Sequence, residues 1–545
     1  MLTLFPATHR RGTVLLLLLA LVFALPACGG GGSGGPGPFE ETFPVPDAPG
    51  AGGGGTQTPP PTPSQEPIWN ANAANHGRTA LFGAFPSDMV RFGNTLFVTD
   101  ADAVETAGAK ILAYDVSGTA PVVSTQFATT TILDSDLLVS NGLAGDATTP
   151  VGFGFFLDDL QIVSSTLGFV LVNAGGSDSA PTLTNLVAFN PTTGQIRQVV
   201  DLAIPYTVIG FATDSAGNPV GGATFTQAGA EALAYRRVDG GSDKLYVAMS
   251  NLVFGAPSNG ATKLPGTIQV LDVNPANTAP LTFTAGVGGP FTIRTGTFNP
   301  IALDVITIAP IAPTFPPRDR LLVTCAGTTD FDMNFNLVPT TKSAVEAYDA
   351  ATGAFQGSFD LGLVGLAATR PALGFDGAGN FVGFFPSSVT GEIYLLRLDG
   401  LLVNPINPGT LAVLRGPLNG IPITTAQAGG PGGNVTSVAL SPDGRTLAVT
   451  GFGDLFAFPA AIPGQLFLLG LPENLVTGST FGSDFVPGSS QFASTPGRTL
   501  GSVVLVPNDG SRPDVFVNVS GTLDQNFLGN GPASLGSLQT HGLIR

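Results

Sequence analysis

From residue 85 onward the chain sets short apolar runs between clusters of Gly, Asn, Asp and Pro, and apolar residues almost nowhere recur at helical spacing. The pattern predicts an all-β domain. One unit recurs seven times: a β-branched run, a turn, a second apolar run such as LYVAM, a variable loop, and a third run ending like YDAATG. Copies align on Val98, Val172, Val247, Val323, Val382, Val449 and Val517, in successive steps of 74, 75, 76, 59, 67 and 68 residues. A near-constant step with elastic loops is what duplicated blades with insertions produce. The fifth copy is the weakest, because Gly383 interrupts its apolar run.

The first two runs of a copy are joined by Gly93-Asn94, Asp239-Gly240-Gly241, Pro442-Asp443-Gly444 or Asn508-Asp509-Gly510. Such residues tolerate the positive φ of hairpin turns, so these strands are expected to be antiparallel neighbours. The third run (KILAYDVSG, NLVAFNPTTG, AVEAYDAATG) ends in a turn signal before a further extended segment. Four strands per unit, repeated radially, is how a β-propeller protects its strand edges. The expectation is therefore a propeller of seven blades, each of four antiparallel strands. The last copy runs out of chain after a third strand, and residues 79–85 are extended and apolar just ahead of the first copy. These residues are expected to close the final blade from the N-terminal side.

The runs at Asp243 to Met249 with Gly266 to Asp272, at Arg320 to Thr324 with Ala344 to Gly353, and at Ser437 to Thr450 resemble the YVTN-type propeller repeat. That repeat is seen in bacterial surface proteins and is related to lactonase-like propellers. The resemblance covers most of residues 85–545 and implies a scaffold, since its Tyr, Val and Asp positions pack and turn.

The first 84 residues are different. His9, Arg10 and Arg11 precede the apolar run Val14 to Leu25 and then Leu25-Pro26-Ala27-Cys28. A charged start, an apolar stretch too short for a bilayer and a small residue before the cut make a signal peptide over 1–27. Cys28 after Ala27 resembles the lipobox of bacterial lipoproteins, which implies a diacylated Cys28 and attachment to the membrane of the cell envelope, in the periplasm or at the surface. Pro26 departs from the usual lipobox residue, and ordinary secretion is the competing reading. Residues 28–70 are rich in Gly, Ser and Pro, unable to bury a core, and read as a tether. The propeller then spans 71–545.

Charge and composition narrow the chemistry. The chain carries 21 basic and 38 acidic side chains. An acidic, lysine-poor surface argues against phosphate-backbone binding, so nucleic acid is not an expected partner. Beyond the signal peptide only His76 and His541 remain, and Trp69 lies outside the repeats. A histidine triad or a multi-histidine metal centre is out of reach, and the repeated tryptophan docking of quinoprotein propellers is absent. With Cys28 acylated, Cys325 has no partner; it follows a core valine and reads as a buried small apolar residue.

Function is therefore sought in long loops on one face. Phe254, Phe331, Phe335, Phe452, Phe456 and Phe527 stand there among polar neighbours, suiting contact with a protein or carbohydrate or loops packed on themselves. Asp330, Asp332 and Asn334 alternate with Phe331, Met333 and Phe335, a weak calcium pattern that lacks the EF-hand glycine and glutamate; an edge strand with one wet face is the competing reading. Lactonase-like chemistry would draw on Glu231, Arg294, Arg370 or Glu392, none distinguished by spacing. The leading expectation is a monomeric, non-catalytic binding or scaffold module requiring no cofactor. The alternative is a hydrolytic propeller using carboxylates with a divalent cation.

Overall fold

The computed structural model describes residues 77–80 and 86–541, apart from loops of which the longest are 101–109, 128–154, 175–182, 252–263, 309–317, 332–336, 416–420, 423–434, 452–464, 477–491, 494–499, 506–514 and 524–531, and some shorter breaks. The regular structure of the described residues is strand, apart from a single short 3-10 turn at Asp399–Leu401. It is an all-β propeller of four-stranded antiparallel blades.

Six blades are each built from four strands taken in chain order. Blade one comprises Pro86–Phe92, Thr95–Asp100, Lys110–Asp115 and Val122–Val123. Blade two comprises Phe155–Ser164, Leu167–Ala174, Leu183–Phe189 and Ile196–Asp201. Blade three has Ala230–Arg236, Asp243–Met249, Thr267–Val273 and Leu281–Phe283, and Thr292–Arg294 also pairs with its third strand. Blade four has Pro300–Ile308, Arg318–Cys325, Ser343–Asp349 and Phe355–Gly362. Blade five has Ala372–Phe375, Phe381–Pro386, Glu392–Arg397 and Ala412–Arg415, with Ile421–Pro422 added to its third strand. Blade six has Val435–Leu440, Thr446–Gly451, Gln465–Gly470 and Phe492–Ala493.

The expectation of seven like units is corrected to six, because the last stretch of chain supplies only three strands of a sheet. Leu500–Leu505, Val515–Val519 and Ser537–His541 take Gly77–Ala80 as their outer neighbour, in the register Gly77↔Thr540 to Ala80↔Ser537. The sequence placed this N-terminal strand at 79–85; the pairing falls at 77–80, and 81–85 lie outside the described residues. The first strands of blades one to four lie beside one another in turn, as do those of blades five and six, and the first strand of this composite sheet lies beside those of blades six and one. First strands are therefore inner and surround the axis.

Blades stack face to face, so both sides of a middle strand are buried. Val247 packs towards blade two while its neighbours Tyr246 and Ala248 pack towards blade four. That is why the second runs read as continuous apolar stretches instead of alternating. All seven aligned valines are buried in second strands. Gly383 is a packing requirement: a Cβ there would stand 2.6 Å from the Phe385 ring and 2.8 Å from Leu373. Cys325 is a buried free thiol in the core between blades three and four, its acidity suppressed by burial and then by the charge of Glu346.

The recurring third-run ending has a local cause. Asp349 Oδ1 accepts hydrogen bonds from the N–H groups of Ala351 (3.1 Å) and Thr352 (2.8 Å), and Gly353 turns the chain at φ +69°. Asn190 does the same for Thr192 (2.9 Å), with Gly194 at φ +76°. Each Asx turn delivers the chain into the outer strand.

Candidate functional site

The inner strands share an irregularity. Their pairing with the second strand shifts between Pro86 and Met89, Leu157 and Leu160, Ala230 and Ala232, Pro300 and Ala302, Val435 and Ser437, and Leu500 and Val503. A bulge re-aims the side chain it carries. In three successive blades that residue is an acid: Asp88, Asp159 and Glu231.

The free edge of each inner strand faces the axis, where its N–H groups need acceptors. Asp88 Oδ2 accepts from the N–H of Leu160 in the next blade at 3.1 Å, and Oδ1 from Met89 at 2.6 Å. Asp159 Oδ2 accepts from the N–H of Leu233, again one blade on, at 2.7 Å. Between blade six and the composite sheet Ser437 Oγ takes the same place, accepting from Val503 at 3.4 Å. These contacts are stitches from one inner strand to the next.

Arg370, in the segment leading into blade five, completes the arrangement. Its Nη2 donates to Asp159 Oδ2 at 2.7 Å and to the Leu233 carbonyl at 2.9 Å. Blades two and five are not neighbours, so this bond crosses the axis. The Asp159 and Arg370 side chains retain 6% and 14% exposure, which makes the pair a desolvated one. Burial works against the charge of Arg370, but the carboxylates of Asp159, Asp304 and Asp88 outweigh it and hold the guanidinium protonated.

Three carboxylates share that one cation, and their acidities record it. Burial lifts Asp88 well above the usual carboxylate range and the charge of Asp159 adds to this, against Arg370 and the N–H groups of Met89 and Leu160. Burial raises Asp159, opposed by Arg370 and the N–H groups of Leu233 and Leu160. Desolvation raises Asp304 in blade four, with Arg370 opposing and Asp159 reinforcing the shift. The cluster gathers charge from four blades and a peptide group from a fifth.

Of the four residues considered for lactonase-like chemistry, only Arg370 belongs to this cluster. Glu231 is buried and pushed up to about 8 by desolvation, its hydrogen bond with Ser250 opposing the shift, so it is mainly protonated at neutral pH. Arg294 ends the added strand of blade three, where its charge opposes the burial that raises the Tyr206 pKa. Glu392 opens the third strand of blade five, with Oε2 buried and without a hydrogen bond among the described residues.

Cys28, Phe254, Asp332, Asn334, Phe335, Phe452, Phe456 and Phe527 lie outside the described residues. Asp330 and Phe331 sit on the short strand Thr329–Phe331, which pairs with Leu337–Pro339 in a hairpin above blade four. Threonines clasp its base: Thr328 N–H donates to Thr341 Oγ1 at 2.7 Å, and Thr340 N–H to the Thr328 carbonyl at 2.7 Å. Among the described residues no three His, Cys, Asp or Glu side chains are arranged to hold a metal ion.

Sequence reasoning missed Asp88, Asp159 and Asp304. A signal was present, since each acid interrupts an otherwise apolar inner run (SDMV, LDDL, LDV). It also missed the ribbon between blades two and three, where Pro205–Thr207 pairs with Thr224–Thr226 and Tyr206 meets Phe225 edge-on at 5.8 Å.

No protein-family model matches the chain, and no curated protein matches it in sequence. Among solved structures it is similar to the Dos1 propeller, at 10% identity over 84% of this chain and 79% of that one, with a TM-score of 0.39. It is also similar to a chain from a study of two prolyl endopeptidases, at 14% identity and TM-score 0.36, covering 86% of this chain but 49% of that one. The β-propeller domain of the Trilobed protease from Pyrococcus furiosus, described as having an open velcro topology, matches at 10% identity over 68% and 78% with a TM-score of 0.29.

Proposed function

We propose that the chain is a lipid-anchored propeller of the bacterial cell envelope that acts as a non-catalytic binding or scaffold module, meeting its partner through loops on one face. The observation that carries this reading is the state of Arg370. The one candidate in a convergent buried cluster has its guanidinium committed to Asp159 and the Leu233 carbonyl. A group so engaged holds strands together and is not poised for substrate.

The address rests on Cys28 after Leu25-Pro26-Ala27 and on the Gly/Pro-rich tether over 28–70. In this reading the repeat is of the YVTN type, and residues 71–545 form one domain. The partner is a protein or carbohydrate, the protein is a monomer without nucleic acid, and no cofactor is required. The clasped hairpin carrying Asp330 and Phe331 is the kind of braced projection such a face needs.

Two measurements test the proposal. In cells given an alkynyl fatty acid, the wild-type chain is expected to become labelled and to sediment with membranes, while Cys28→Ser is neither; an unlabelled wild type or a membrane-bound Cys28→Ser contradicts the anchor. Against a panel of lactones and esters, with calcium or with chelator, no saturable turnover is expected. Turnover that Arg370→Met abolishes in a folded protein would establish the hydrolytic alternative.

A further inference from the structure

The axial cluster has a charge balance that the stitching role does not require. Among the described side chains, the charged groups facing it are Asp88 from blade one, Asp159 from blade two, Asp304 from blade four and Arg370 from blade five. Blade three presents the Leu233 peptide, and the join of blade six to the composite sheet presents the uncharged Ser437 and the Val503 N–H. One guanidinium neutralises one carboxylate. The other two stay gathered at the axis only while protons are held among the three, since ionised carboxylates in a desolvated site repel one another.

We propose that this cluster is a proton-dependent lock on the ring: protons shared among Asp88, Asp159 and Asp304 keep the inner strands drawn around Arg370, and their loss loosens the joins between blades. The geometry makes the consequence specific. Asp159 Oδ2 is the acceptor for both Arg370 Nη2 and the Leu233 N–H, and Asp88 Oδ2 is the acceptor for the Leu160 N–H, so repulsion that moves either carboxylate opens the blade-two to blade-three or blade-one to blade-two stitch. The direction follows from linkage. All three acids are raised in the folded state, so the folded ring binds protons more tightly than the unfolded chain. Stability from the lock is complete below the ordinary carboxylate range and is lost as pH rises through the raised values. The lock therefore holds more tightly in mildly acidic than in alkaline surroundings.

The test follows the full mature chain by thermal unfolding and amide hydrogen exchange from about pH 5.5 to about pH 8.5. Glu231 titrates in the same direction, so the comparison is made in a Glu231→Gln background. There the Tm is expected to fall by a few degrees with rising pH, and the Leu160 and Leu233 amides to lose protection after correction for intrinsic exchange. Asp88→Asn with Asp304→Asn leaves a one-to-one Asp159 and Arg370 pair and is expected to flatten both profiles. If that double variant does not fold, Asp304→Asn alone is expected to flatten them in part. A pH-independent Tm in the Glu231→Gln background, or an unchanged slope in the folded Asp variants, overturns the lock.

Discussion

A buried guanidinium needs a fixed partner, and Arg370 has two in Asp159 and the Leu233 carbonyl. Removing one member of such a pair leaves the other charge stranded, which is far more costly than the net worth of the pair. Arg370→Met is therefore expected to lower unfolding free energy by about 3 kcal/mol or more, read from urea titrations at neutral pH. Glu231 makes a prediction of opposite sign. Its folded pKa of about 8 lies above the ordinary 4.5, so its contribution is present in acid and declines as pH rises towards and past 8. Glu231→Gln should thus gain stability relative to wild type at alkaline pH, and an unchanged difference between about pH 5 and pH 9 contradicts the assignment. At this scale the sequence was partly legible. It offered Arg370 as one of four unranked candidates, but a partner 211 residues away becomes visible only when the ring brings blade five opposite blade two.

Elements were the most legible layer, because turn chemistry is local. Pro442-Asp443-Gly444 shows its mechanism fully: the Gly444 N–H reaches the Ser441 carbonyl at 2.8 Å with φ +67°, and a Cβ would lie 2.2 Å from the Phe375 carbonyl oxygen. Gly93 in blade one has φ +60° and no atom within 4 Å of that position. Both substitutions to Ala strain the backbone, yet only Gly444→Ala also forces two blades apart. Gly93→Ala is expected to cost about 1 kcal/mol and Gly444→Ala about 2 to 3 kcal/mol by urea unfolding; equal costs would show that the inter-blade contact is immaterial. What the runs could not reveal were the bulges of the inner strands. A register shift depends on how a strand meets the axis and its neighbour, and the local pattern of apolar residues is the same with or without it.

At the scale of the whole molecule, six blades with their strands in chain order leave a gap filled by a sheet taken from both chain ends. Deleting Gly77–Ala80 exposes the edge of Ser537–His541 and is expected to lower the Tm and broaden the transition; a melt matching the parent contradicts that closure. The repeat announced a ring of seven like units, whereas six are built in chain order and the remaining sheet takes its outer strand from the other end of the chain. Whether the axis holds the ring together or is free for chemistry is tested directly by an Arg370 and Asp159 double-mutant cycle. With Arg370→Met, Asp159→Asn and the double variant compared by urea unfolding, a coupling of about 1 kcal/mol or more is predicted. Near-zero coupling with each single variant as stable as wild type would contradict it.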